Sequence, residues 1–272
     1  MVEGPEATYQ AAYLKKHFAG RRLAGIKIKD GRYKHHGPPS NYRAFVSSLP
    51  LRLLDVGNKG KVLFFLFEGG WVIIAKLGMS GWFYRPQDKP WFEPRPNIVF
   101  DFDGSSSSQL FYSDFRNFGT LTFTQDMMTV LTEYNSIAED IFSDTATWRY
   151  LQAHIKAMQT SHPRMTIDTL LMDQTMLISG IGNIIKSELL YDARISPRRS
   201  LASLRPVEWQ AILTAARKFS KRTLAILEAG DYSAYVSIRQ VYKKTHDKLN
   251  NKVAQYMSSD GRKTYWVPAI QV

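Results

Sequence analysis

The stretch Val62-Leu63-Phe64-Phe65-Leu66-Phe67-Glu68-Gly69-Gly70-Trp71-Val72-Ile73-Ile74-Ala75 holds two apolar runs parted by a glycine pair. Both runs are dominated by β-branched, aromatic and aliphatic residues and read as strands. Gly69-Gly70 supplies a tight turn, so the stretch predicts a β-hairpin. The same grammar extends outward on both sides. Upstream, Arg22 to Lys29 alternates apolar and polar residues as a half-buried strand does, and Asn41 to Leu49 reads as a short helix before Pro50. Downstream, Ile98 to Phe102, Leu110 to Tyr112 and Thr120 to Phe123 read as further strands. Asp103-Gly104 and a serine-rich loop to Ser108 follow the first of these, and Pro86 to Pro96 reads as a loop or an edge. Strands at this spacing predict a β-sandwich.

The pattern changes after Thr124. Asp126 to Thr145 is polar and acidic and reads as a linker with some helix. Trp148 to Met158 has helical periodicity, and Thr166 to Met172 reads as a short helix. Asp173 to Asn183 then leads through Gly180 and Gly182 into a helix from Ile184 to about Tyr191. Such a turn exposes backbone N–H groups and Asn183 at a helix N-terminus, which suits a phosphate, although a plain helical hairpin has the same pattern. Pro206 to Leu227 predicts a long amphipathic helix ended by Gly230. In the tail, Val253 to Met257 and Thr264 to Val267 read as strands joined at Ser258-Ser259-Asp260-Gly261, with Arg262 projecting from the tip. The expected fold class is α+β. Its expected parts are a sandwich domain over 1–125, a linker over 126–147, a helical domain over 148–240 and a β-hairpin over 241–272.

Composition narrows the function. The chain has 272 residues, of which 44% are hydrophobic, enough for two modest domains or one large one. No apolar run reaches the length of a membrane span. Glu3 and Glu6 stand where a signal peptide would carry basic residues, which points to an intracellular setting. Cysteine is absent, so disulfides and thiolate metal sites are excluded. The formal charge is +12, with a pI of about 9.7. An excess of this size suggests a polyanionic partner, most often nucleic acid.

The chain opens Met1-Val2-Glu3-Gly4-Pro5-Glu6. With the initiator removed, Val2 carries a free α-amine, which titrates roughly at pH 8 and is partly neutral at physiological pH. Such an amine can attack a sugar carbon and form a Schiff base, with the carboxylate of Glu3 beside it to move protons. Pro5 suits the first turn of a helix running from about Glu6 to Phe18 and stopped by Gly20. Taken alone, these six residues favour an ordinary capped helix at a chain start, so the sharper reading needs support elsewhere. Lys61 follows Gly60 at a strand start, where a lysine could meet phosphate. Leu77-Gly78-Met79-Ser80-Gly81 and Asp114-Phe115-Arg116-Asn117-Phe118-Gly119 are loops offering Met79, Arg116 and Phe118. Methionine is usually core, but on a basic protein these three side chains suit insertion into a DNA stack.

These parts, in this order, resemble the formamidopyrimidine-DNA glycosylase/endonuclease VIII family over nearly the whole chain. Val2-Glu3-Gly4-Pro5-Glu6 is similar to the family's Pro-Glu-Gly-Pro-Glu opening, and Gly60-Lys61 to its Gly-Lys strand start. Residues 77–81 match its Leu-Gly-Met-Ser-Gly, and 114–119 its Asp-x-Arg-x-Phe-Gly loop. Gly180-Ile181-Gly182-Asn183 with Glu188 resembles its helix-two-turns-helix signature. Gly261-Arg262-Lys263-Thr264, with Pro268 and Gln271, resembles the second half of its zinc finger.

The resemblance implies a bifunctional DNA glycosylase and abasic-site lyase of base excision repair. It acts on damaged double-stranded or single-stranded DNA as a monomer, in the nucleus of a eukaryote or in the host cell or virion of a virus. It also implies roles for single residues. Val2 becomes the nucleophile and Glu3 its proton-transfer partner. Lys61, Asn183 and Arg262 bind phosphate near the lesion. Met79, Arg116 and Phe118 fill the gap left by the flipped nucleotide. β- and δ-elimination through the Schiff base then nick the strand.

Three departures qualify the match. Val2 replaces the usual proline, as in one branch of vertebrate endonuclease VIII-like enzymes. Lys76 stands where the family often has histidine and keeps a positive charge for DNA. Val267 and Ile270 occupy the places of the last two zinc-binding cysteines, so a zincless finger with no cofactor is expected. Members of the family that excise 8-oxoguanine well carry a long loop that caps the flipped purine, and Gly230 to Gln240 leaves little chain for one, so the resemblance implies a preference for oxidised pyrimidines. Two other classes of function remain: a DNA-binding protein that keeps the fold without catalysis, and an RNA-binding protein. The first is favoured only by Val2, and the second leaves Met79, Arg116 and Phe118 without a role.

Overall fold

The computed structural model describes residues 2–88, 90, 94–103 and 108–272. The chain divides into two compact units, residues 1–2 with 6–136 and residues 3–5 with 137–272. Helix α1 (Gly4–Phe18) opens the chain, two residues earlier than its sequence pattern suggests because Pro5 lies within the first turn.

In the first unit, α1 leads to β1 (Arg22–Ile28), the short helices α2 (Arg32–His35) and α3 (Tyr42–Ser47), β2 (Leu51–Lys59) and β3 (Val62–Phe67). After a turn over Glu68–Gly70 come β4 (Val72–Lys76), β5 (Trp82–Tyr84), β6 (Ile98–Phe102), β7 (Gln109–Ser113), β8 (Thr120–Thr124) and α4 (Met127–Ser136). The eight strands form one hydrogen-bonded order, β5-β7-β6-β1-β2-β3-β4-β8, and every pairing is antiparallel. β2 joins the halves: Leu51 and Arg52 pair with β1, while Leu53 to Lys59 pair with β3 across a register shift. The sheet folds back on itself. Phe65 on β3 meets Phe83 on β5 with ring centroids 5.2 Å apart, although several strands separate them in the order. Alternation places Leu53, Leu63, Phe65, Ile73, Phe100 and Phe123 in the shared core, as a two-layered sandwich requires. β2, β5 and α2 carry weaker sequence patterns and are additions to the expected elements. The serine-rich loop and part of Pro86 to Pro96 lie outside the described residues.

The expected linker is not one. Its first part is α4, held to the sheet unit where Lys59 donates to the Tyr134 carbonyl at 3.0 Å. Its second part belongs to the helical unit, with Ile141 and Ala146 buried in that core.

The helical unit comprises α5 (Trp148–Ser161), α6 (Ile167–Met172), α7 (Asn183–Asp192), α8 (Pro206–Glu228), α9 (Tyr232–Ser237), β9 (Ala254–Met257) and β10 (Lys263–Trp266). Helix α7 is buried from Asn183 through Tyr191, and its buried polar side chains Asn183, Lys186, Ser187 and Glu188 are hydrogen-bonded, as burial requires. The final hairpin is not a separate body: Tyr242 and Tyr265 pack against the helical core. Helix α9 was not expected. Asp231 caps it by accepting from the Ala234 N–H at 2.9 Å, and Tyr235 is buried. Among the described residues no helix is long and apolar enough to cross a membrane.

Candidate active site and nucleic-acid interface

Val2 is buried among the core residues of the sheet unit. The next residue, Glu3, is only 1% exposed and grouped with the helical unit. Its carboxylate accepts from the backbone N–H of Ile184 at 2.8 Å and of Ile185 at 2.9 Å. These are free donors of the first turn of α7, where the helix dipole also favours a negative charge. Gly4 adds a backbone bond, donating to the Gly180 carbonyl at 2.7 Å. Both family glycines now have a physical reason. Gly180 has φ +92°, a left-handed backbone. A Cβ on Gly182 would lie 2.4 Å from the Glu3 carboxyl. The N-terminal nucleophile and proton carrier expected from the sequence are therefore adjacent in the chain, and the carboxylate is fixed by α7.

The same helix holds the hairpin. Asn183 donates from Nδ2 to the Lys263 carbonyl at 2.9 Å, and Lys186 donates from Nζ to Thr264 Oγ1 at 2.8 Å. Lys186 is fully buried, and that burial pushes its ammonium below the usual lysine range. Glu188 accepts from the backbone N–H groups of Gln240, Val241 and Tyr242 at 2.7, 3.1 and 2.8 Å. Arg262 follows the turn of the hairpin. Its backbone N–H donates to Asp260 at 3.1 Å, and its carbonyl accepts from the Ser258 N–H and hydroxyl, both at 2.9 Å. Its guanidinium is partly exposed and 3.8 Å from Asp260. Asn183, expected to face phosphate, has its amide nitrogen engaged by the hairpin in this structure. Lys186 carries no family signature and could not be singled out from the sequence.

The candidate gap-filling residues come together in the sheet unit. Asp114 accepts from Ser80 Oγ through Oδ1 and from the Gly119 N–H at 2.6 Å through Oδ2. Ser80 Oγ accepts from the Arg116 N–H at 3.1 Å, and Arg116 Nη1 lies 3.1 Å from Met79 Sδ. Gly78, at φ +60°, permits the approach, since a Cβ there would lie 2.9 Å from the backbone of Phe118 and Gly119. The result is one platform with a buried hydrogen-bond network beneath it. Phe118 is 62% exposed on top, although exposure of so large an apolar ring has a cost in water. Lys61 is half-buried in the turn between β2 and β3, with Gly60 at φ +56°. Lys76 forms an ion pair with Glu133 at 2.8 Å, so part of its charge is matched within the protein.

In the hairpin region Val267 is fully buried and packs with Tyr191, Val241, Val253 and Ile270. Among the described residues no group of three or more His, Asp or Glu side chains is placed to hold a metal. Asp247 organises the adjoining loop instead, accepting from Tyr191 OH at 2.9 Å and from the Leu249 and Asn251 N–H groups at 2.9 and 2.8 Å.

Comparison with known proteins agrees with this architecture. The family model of the formamidopyrimidine-DNA glycosylase N-terminal domain matches residues 1–121, and that of the formamidopyrimidine-DNA glycosylase H2TH domain matches residues 137–231. The formamidopyrimidine-DNA glycosylase of Shouchella clausii is 31% identical over 239 residues, covering 86% of this chain and 80% of the relative. The Lactococcus lactis glycosylase, solved non-covalently bound to DNA containing an AP site, superposes with a TM-score of 0.81 at 19% identity, covering 99% of each chain. A second structure of the wild-type L. lactis protein, in complex with DNA containing an oxidized pyrimidine, gives a TM-score of 0.81 at 20% identity, again over 99% of each chain. With both domains of the family present in order and a relative of this similarity, the chain belongs to the formamidopyrimidine-DNA glycosylase family of DNA-repair glycosylases.

Proposed function

We propose that this chain is a bifunctional DNA glycosylase and abasic-site lyase whose nucleophile is the α-amine of Val2, freed by removal of Met1. The observation that carries the reading is the immobilised Glu3 carboxylate, held by two N–H groups at the start of α7 and adjacent in the chain to that amine. In this mechanism the amine nitrogen bonds to C1′ of the flipped nucleotide, and the C1′–base bond breaks with its electron pair leaving on the base. Glu3 delivers the proton that lets the sugar ring open to an imine. Loss of a C2′ proton then expels the 3′ phosphate, and a second elimination expels the 5′ phosphate. Water finally hydrolyses the imine and regenerates the amine. Arg262 is suited to grip phosphate near the lesion, and the Met79–Arg116–Phe118 platform to occupy the vacated stack.

Oxidised pyrimidines are the preferred substrates in this reading. Its support is the fate of residues 231–237: they are wound into α9 with Tyr235 buried, which leaves little chain to close over a purine. The hairpin is proposed to work without zinc, since the cluster around Val267 supplies by packing what a metal would supply by ligation.

Borohydride trapping on DNA carrying thymine glycol tests the reading. Protein beginning at Val2 forms a covalent adduct, and protein that keeps Met1 does not. Equal trapping by both forms excludes the Val2 amine. Faster excision of 8-oxoguanine opposite cytosine than of thymine glycol overturns the substrate preference.

A further inference from the structure

The helical unit contains a cavity of about 520 Å³ that the chemistry above does not use. Asp192, the last residue of α7, lines it. Ile184, which binds Glu3, lies at the other end of that helix, roughly 12 Å away at 1.5 Å per residue. The cavity is thus distinct from the position of the proton-carrying carboxylate. Its walls include the cations Lys218, Arg222, Arg239, Lys244 and Lys248, with Asp192 and Asp247 as the only carboxylates among the described residues. Formally this leaves an excess of three positive charges, with His246 neutral.

Both carboxylates are already committed. Asp192 accepts from Gln240 Nε2 at 2.7 Å. Asp247 accepts from Tyr191, Leu249 and Asn251 as described. Among the described residues no ion pair engages Lys218, Arg222, Lys244 or Lys248. Lys218 and Arg222 stand four residues apart on α8, a like-charge spacing that weakens a helix unless an anion relieves it. Arg239 is braced between two rings, 4.9 Å from the Tyr235 centroid and 5.7 Å from that of Tyr242. Its Nε is buried without a hydrogen-bond partner. A guanidinium held in place this way has lost its rotamer freedom before any ligand arrives, which lowers the entropy cost of binding an anion.

We propose that this cavity is a second phosphate site, which holds backbone phosphates of nucleic acid away from the damaged nucleotide. An acidic peptide fits less well. The apolar residues of the wall, Phe219 and Ile238, are 7% and 8% exposed and offer no seat for a peptide's anchoring side chain. Phosphate needs only the cations. The inference rests on the reading that the chain binds DNA, and its test separates the two.

Lysine acetylation of the native protein, read by mass spectrometry, is compared with and without a long undamaged duplex and with poly-glutamate. Protection of Lys218, Lys244 and Lys248 by duplex but not by poly-glutamate is expected. Protection of Lys61 without these three overturns the second site and leaves the glycosylase reading intact. Protection of none of the four overturns both. Protection of the three by poly-glutamate alone reassigns the cavity to an acidic protein. In a second measurement, Lys218→Ser/Arg222→Ser lowers the slope of log K against log salt by about 1, the loss of one phosphate contact. An unchanged slope in a variant with unchanged melting temperature also refutes the site.

Discussion

Gly182→Ala is the sharpest test of the role given to Glu3, because it disturbs the carboxylate without altering it. Gly182 has φ −122° and ψ −167°, an extended backbone that alanine adopts freely. The cost therefore lies in the new Cβ, which would stand 2.4 Å from the Glu3 carboxyl and 2.6 Å from its Cγ. An ordinary contact needs about 1 Å more, and the side chain of Glu3 yields more readily than the backbone of α7. Its carboxylate then leaves the Ile184 and Ile185 N–H groups, now bonded at 2.8 and 2.9 Å. Two charge-assisted bonds weaken and buried donors lose their acceptor, which costs about 3 kcal/mol. A displacement of about 1 Å at a reacting group lowers the rate about 100-fold. Single-turnover base release should fall by that factor, and chemical denaturation should report the stability loss. In a Glu3→Ala background the three atoms nearest the new Cβ are gone. There Gly182→Ala should cost only about 0.5–1 kcal/mol, the difference between glycine and alanine at a helix N-cap. The coupling between the sites is then about 2 kcal/mol. Equal costs in both backgrounds, or a wild-type rate for Gly182→Ala, would refute the reasoning.

Other outcomes follow from the same geometry. Phe118→Ala should change stability by less than about 0.5 kcal/mol, since the ring is 62% exposed, yet slow excision from duplex DNA more than from single strands. Comparing melting curves with rates on both substrates checks it. The side chain and backbone N–H of Arg205, joined by the guanidinium of Arg199, hold the carboxyl of Glu208 down at about 2. A depressed carboxylate stabilises the fold above its unfolded pKa of 4.5 and loses that contribution as pH falls toward 2. The pairing is near the surface, so Glu208→Gln should cost about 1 kcal/mol at pH 7, and the difference from wild type should vanish in thermal melts between pH 4.5 and 2. Chelator treatment should leave the melting temperature unchanged, whereas Val267→Ala should cost about 2 kcal/mol by opening a cavity in the cluster beneath the hairpin. Stoichiometric zinc by elemental analysis would contradict the first half.

The parts of the molecule written in local patterns were legible beforehand. The apolar runs on either side of Gly69-Gly70, the caps of α1 and α8, and the turn before Arg262 each depend on residues close in sequence, where local pattern and turn chemistry act directly. Short elements were harder to see. β5 has three residues and α9 six, too few for a period to emerge. The boundary near residue 136 was misplaced because polarity is a poor guide to what a segment packs on. α4 has no buried residue, yet it is fixed through Lys59 and Lys76. At the site, motif positions such as Val2, Glu3 and Arg262 were readable as residue types. What holds them was not. The tie from Glu3 to Ile184 spans 181 residues, and Lys186 looks in sequence like a solvated helix lysine. Burial of such a group is decided by tertiary contacts that no window of sequence contains.

The long reach of that tie also sets an order of events during synthesis. Glu3 leaves the ribosome long before the N–H groups of Ile184 and Ile185 that donate to it, which lie 181 and 182 residues further along the chain. At about 5–20 residues per second, the carboxylate waits on the order of ten seconds for the helix that will fix it. The sheet unit can collect most of its own contacts in that time, but the Glu3 carboxylate stays unfixed. A chain broken off before residue 183 would carry the proposed nucleophile with nothing to orient its partner. Completion of α7 and fixing of the Glu3 carboxylate are thereby a single step, so in the proposed reading an unfinished product presents the Val2 amine without an assembled site.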